Sequence, residues 1–121
     1  HLQRLAIFMP GHANLEIMQG DTYTLGVQVR NSNGTPADIT GYTAIAQIRR
    51  ASAGADSVVA AEFTCAVTSP LVNISLTPAQ TVTLAGQYVW DLEITSPTDV
   101  VTTILAGRVR VMAEVSRAIA A

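Results

Sequence analysis

The chain has 121 residues, nine acidic and seven basic, for a formal charge of -2; 49% of its residues are apolar and 13% charged. That length is one domain with room for a real core without metal or disulfides, and the composition is too apolar for a disordered chain. A slightly acidic balance with few aromatics excludes an electrostatic nucleic-acid binder, and no apolar run reaches the roughly 18 residues of a membrane-spanning helix.

The N-terminal stretch Leu5-Ala6-Ile7-Phe8-Met9 is too short for a signal-peptide core and is read as an apolar arm over residues 1–12. From Leu15 the pattern has period two, the signature of half-buried strands. Leu15 and Ile17, with Met18, form a short strand, and Gly20-Asp21 turns the chain. Tyr23, Leu25, Val27 and Val29 alternate with Thr24, Gly26, Gln28 and Arg30, and Asn31 to Pro36 is the strongest loop signal. Tyr42, Ala44, Ala46 and Ile48 share a face opposite Gln47 and Arg49. Ala51 to Ser57 is a small-residue loop. Val58 to Val67 is β-rich, with Phe63 and Cys65 on one face, and Ser69-Pro70 breaks it.

Val72, Ile74 and Leu76 alternate again. Thr77-Pro78-Ala79-Gln80 then supplies an N-cap, a proline at the first helical position and a Gln that completes a capping box. This predicts at most two helical turns, ended by Gly86. Tyr88, Trp90, Leu92 and Ile94 point inward against Val89, Asp91, Glu93 and Thr95. Thr103, Leu105, Gly107, Val109 and Val111 are expected on the inner face of the last strand, with Arg108 and Arg110 outside. The expected core includes Leu25, Val27, Ile48, Ile74, Tyr88, Trp90, Leu92 and Val109.

About seven strands with turns at this spacing predict an all-β, immunoglobulin-like antiparallel sandwich of two sheets with one short helical crossover. Residues 13–112 form the domain, between the arm and a tail over 113–121. Leu84-Ala85-Gly86-Gln87-Tyr88 resembles the tyrosine corner of Greek-key sandwiches, in which the phenol bonds back to the crossover backbone; the alternative is a plain core aromatic.

No constellation for catalysis emerges. His12 stands in a Pro-Gly-His loop with no partner at metal-ligand spacing and reads as a solvated loop residue. Asp91 and Glu93, two apart on one strand face, are a pair suited to a cation or to acid–base work; the favoured reading is cross-strand pairing with Arg49, Arg108 and Arg110. Asp21 and Asp38 read as turn caps. Cys65 is alone and reads as a buried structural thiol. The triplets at Asn33 and Asn73 match a glycosylation signal but are discounted without a secretion signal. Trp90, Tyr88, Tyr42 and Tyr23 all fall on inward positions, which leaves few aromatics for sugar stacking. No catalytic residue, cofactor or metal is expected.

Several segments carry a resemblance as a set: Ile17-Met18-Gln19-Gly20-Asp21-Thr22-Tyr23, Asp38-Ile39-Thr40-Gly41-Tyr42-Thr43-Ala44, Leu76-Thr77-Pro78-Ala79-Gln80-Thr81, Gly86-Gln87-Tyr88-Val89-Trp90-Asp91-Leu92-Glu93, and Gly107-Arg108-Val109 followed by Glu114-Val115-Ser116-Arg117. Over residues 14–117 the chain is similar to small β-sandwich virion proteins of tailed phages and to the N-terminal domain of the phage baseplate upper protein family. The resemblance implies a non-enzymatic virion structural protein, made in the host cytoplasm and assembled with other virion proteins, as a homo-oligomer within a larger assembly. Where the family continues into a receptor-binding device, no coiled coil or fibre follows the sandwich in these residues. That favours a tail or baseplate adaptor or accessory protein, with capsid decoration as the alternative and a carbohydrate- or cell-surface-binding module as a third. Leu5, Ile7, Phe8, Met9 and Ile119 are the expected assembly contacts, because exposed apolar tails mark partner sites.

Overall fold

The computed structural model describes residues 2–8, 11–50 and 58–113, the first of these as backbone only. Ten strands and one short helix follow in chain order: β1 (Leu2–Phe8), β2 (Gly11–His12), β3 (Leu15–Met18), β4 (Tyr23–Arg30), β5 (Thr43–Arg50), β6 (Val59–Glu62), β7 (Thr64–Thr68), β8 (Leu71–Leu76), α1 (Pro78–Thr81), β9 (Gly86–Thr95) and β10 (Val101–Met112). The smaller sheet has the order β1-β4-β8-β7. The larger runs β2-β10-β9-β5-β6, with β3 also paired to β10. The all-β sandwich read from the alternation is the fold.

Two features of the strand pattern differ from expectation. The N-terminal strands pair in parallel: β1 beside β4, and both β2 and β3 beside β10. The remaining pairs are antiparallel. The β-rich run from Val58 is two strands in different sheets. Phe63 separates β6 from β7, and its amide donates to the Ala46 carbonyl at 2.9 Å as the chain changes sheet. The inward positions keep a period of two through the crossing, Ala61, Phe63, Cys65 and Val67 against exposed Glu62, Thr64, Ala66 and Thr68; the irregular part of the run is Val59-Ala60, at a register shift of β6 against β5 between Ile48 and Arg49.

All eight expected core residues are buried, joined by Ile17, Ile39, Leu76, Leu84, Ile94, Ile104 and Leu105. Tyr23, Phe63 and Trp90 form a row through the core, with ring centroids 6.4 and 6.0 Å apart in tilted pairs. The inner face of β10 needs one correction. A register shift between Thr103 and Leu105 lets two successive residues, Ile104 and Leu105, turn inward, so Thr103 lies outside and exposed. A bulge of this kind is invisible to a strict period of two.

The crossover is shorter than two turns. Thr77 caps Pro78–Thr81 with the full capping box, and the chain leaves the helix at Val82. Gly86, at φ +93°, opens β9 instead of closing the helix. The buried Thr81 hydroxyl donates to the Asp21 carbonyl at 2.7 Å and accepts from the Gly20 amide at 3.1 Å, so the crossover is tied to the β3–β4 turn. The Tyr88 hydroxyl accepts from the Ala85 amide at 2.8 Å, which makes the tyrosine corner real.

β2 and β3 are pinned across β10. Gly107 is where they meet it: a side-chain carbon added there would stand 1.9 Å from the Ala13 carbonyl oxygen. That same oxygen accepts the Trp90 indole N–H at 2.9 Å. The Arg108 amide donates to Asn14 Oδ1 at 3.0 Å.

Candidate functional site

Strand alternation that buries Ile48, Trp90, Leu92 and Val109 must turn their neighbours outward. The register of β5, β9 and β10 then decides which outward residues meet. Gln47 faces Asp91, which faces Ala106; Ile45 faces Glu93, which faces Thr103; Arg49 faces Val89, which faces Arg108. On β6, Glu62 lies beside Gln47. The result is an open cleft of about 570 Å³ on the outer face, its side chains supplied chiefly by Ile45, Gln47, Arg49, Val89, Asp91 and Glu93. The small residues Ala106 and Gly107 form its floor on the β10 side.

A hydrogen-bonded relay crosses this face. Arg49 Nη2 donates to Gln47 Oε1 at 3.0 Å, and Gln47 Nε2 donates to Glu62 Oε1 at 2.9 Å. Asp91 is half-buried in the cleft. Burial pushes its carboxyl above the ordinary carboxylate value, and the Arg49 guanidinium opposes that rise. Ile45 and Val101 remain 41% and 58% exposed on the same face, a large apolar contribution for a sheet surface.

Asp91 and Glu93 therefore share a face as expected, and Arg49 is the arginine that acts on Asp91. Arg110 instead meets Glu16 of β3 at 3.8 Å, both side chains exposed. A surface pair of this length contributes little to stability, about 0–1 kcal/mol. Among the described residues no group of three or more His, Cys, Asp or Glu converges on a metal-sized space. The cleft offers one carboxylate pair, a guanidinium and an amide, a set suited to polar contacts with another surface.

The other residues singled out from the pattern fall as follows. His12 is exposed on β2. Asp38 Oδ1 accepts from the Thr40 amide at 3.1 Å and its hydroxyl at 2.7 Å, which is turn chemistry and holds the carboxyl below its usual range. At the other turn the Asp21 amide bonds to the Met18 carbonyl at 3.1 Å. Cys65 is half-buried against the core on β7, and burial pushes its thiol up, away from the thiolate needed for reactivity. Asn73 is paired within β8, to Gly26 and Ala66. Tyr23, Tyr88 and Trp90 are buried and Tyr42 half-buried, so none presents an open ring to a sugar.

Of the expected assembly contacts, Leu5, Ile7 and Phe8 lie in β1, their backbone in register with Val27, Val29 and Arg30 of β4. Met9 and Ile119 fall outside the described residues. Ile45 and Ala106 are not named by the pattern, and Gln47 is named only as an outward residue beside Arg49. Their outward alternation was a usable signal; the cross-strand register that gathers them was not.

The chain matches no protein-family model and no curated protein sequence.

Proposed function

We propose that this chain is a non-enzymatic structural protein of a tailed-phage virion, an adaptor or accessory component of the tail or baseplate that works by packing against other proteins. The observation that carries the reading is the outer face of the larger sheet. It sets exposed Ile45 and Val101 beside a polar relay and a half-buried carboxylate, the mixed apolar and polar makeup of a protein–protein contact. The resemblance of residues 14–117 to phage sandwich proteins supplies the setting. β1 stands beside β4 at the edge of the smaller sheet, a place where a partner's extended segment can add as a further strand.

Immunogold labelling of particles released from the host that encodes the chain tests this. Label at the tail tip supports an adaptor. Label over the shell reassigns the chain to capsid decoration, and purified particles that lack the chain refute a virion role.

A further inference from the structure

We infer that the outer face of the β6-β5-β9-β10 sheet is a self-association surface, on which a second copy of this chain docks face to face with its strands reversed. The inference rests on the packing role proposed above and names one partner for it.

The argument is the placement of charge along the strands. At one end of the face stand Arg49 and Arg108, flanking Val89, with Arg110 one step further along β10 beside Gln87. Towards the other end stand Glu62, level with Gln47 and Asp91, and then Glu93. Three carboxylates thus follow three guanidiniums along a single axis, with Glu16 of β3 paired to Arg110 inside the basic end and lowering its net charge. Such a face repels a copy laid on it in the same direction. Rotation by 180° about an axis lying in the interface, across the strands between Val89 and Asp91, places each pole over its opposite. The Asp91 carboxylate of one copy then lies between Arg49 and Arg108 of the other, and Glu93 lies near Arg110. A twofold contact must be self-complementary, and this face meets that condition.

The apolar content agrees. Ile45 and Val101 are exposed on the acidic half, and the small Ala106 and Gly107 leave a hollow beside them that a facing side chain can enter. Four strands about 4.8 Å apart and about eight residues long cover roughly 500 Å² per copy, about 1,000 Å² in total. That is the lower limit of a specific interface, so the expected dimer is weak and concentration-dependent.

Sedimentation equilibrium on the full chain, and on Glu93→Arg and Arg110→Glu variants, tests the proposal. The expected result is a reversible wild-type dimer, about tenfold or more weakened in each variant and restored as a heterodimer when the two are mixed. Arg108→Glu mixed with Asp91→Arg serves as a second complementary pair if thermal melting shows that Arg110→Glu does not fold. A wild-type chain monomeric at high micromolar concentration overturns the proposal. So does a dimer that both variants retain, or one that the mixture fails to restore. Particle labelling is read separately, so loss of the dimer leaves the virion reading standing.

Discussion

Trp90 contributes in two ways at once. Its ring packs against Phe63, and its indole N–H holds the Ala13 carbonyl. Trp90→Ala is expected to cost about 3–5 kcal/mol, the scale of a large core cavity. Trp90→Phe keeps most of the apolar contact but leaves the Ala13 oxygen without that donor, a cost of about 1–3 kcal/mol. Urea denaturation of both variants separates packing from the hydrogen bond. Two carboxylates shape the acid limb of stability in opposite directions. The folded Asp91 keeps its proton at a pH where the unfolded chain, with an ordinary value of 3.8, has lost it. Its ionisation therefore works against the fold, and stability falls as pH rises from 3.8 through the raised value. Asp91→Asn is expected to melt above the parent at neutral pH, with the gap closing below 3.8. Asp38, held low by Thr40, works the other way. Its contribution is present above 3.8 and is lost as pH falls through its lowered value, so Asp38→Asn is expected to melt below the parent at neutral pH. Thermal melts across the acid range check both signs.

The helical crossover tests how much one turn of backbone is worth. Gln80 closes the capping box by accepting from the Thr77 amide at 2.9 Å, and its amide also donates to the Glu62 carbonyl at 2.9 Å. Gln80→Ala removes the cap partner and the tether to β6 together. It is expected to lose about 1–2 kcal/mol, more than capping alone, measured by chemical denaturation against Thr77→Ala at about 1 kcal/mol. This element also shows what the chain reveals before folding. The Thr-Pro-Ala-Gln cap and the Gly86–Tyr88 corner are local, and they read directly from neighbouring residues. The inward sets Leu25–Val29 and Tyr88–Ile94 are legible for the same reason, since the alternation is written along one strand. The Thr103–Leu105 bulge, the switch of sheets at Phe63 and the parallel pairing of β3 depend on partners far along the chain. Nothing in the adjacent residues specifies them. The outer-face cleft is half legible on the same account: each strand declares its outward residues, but only the register places Gln47 beside Asp91.

At the scale of the whole molecule, the N-terminal strands extend an edge of each sheet, β1 beside β4 and β2 and β3 beside β10. Removal of residues 1–8 strips seven paired positions, Leu2↔Thr24 to Phe8↔Arg30, from β4 and leaves that strand as an uncovered edge. A lower melting temperature is the expected outcome in calorimetry. An unchanged melting temperature, with loss of the truncated chain from particles, would instead assign the segment to assembly alone.

The Ala13–Asn14 clasp on β10 also sets the order in which the chain can be completed. Its bonds join residues 77 and 94 positions apart, the latter from Asn14 to Arg108. Contacts of such separation are formed late and slowly, because most of the intervening chain must be ordered before they close. On the ribosome, the segment over residues 11–18 emerges early, yet β10, the strand it joins, emerges last among the described strands. Until then β2, β3 and β9 of the nascent chain lack the strand they pair with. The sandwich can reach its final form only after β10 has emerged, and a pause in translation after β9 lengthens the life of the open form.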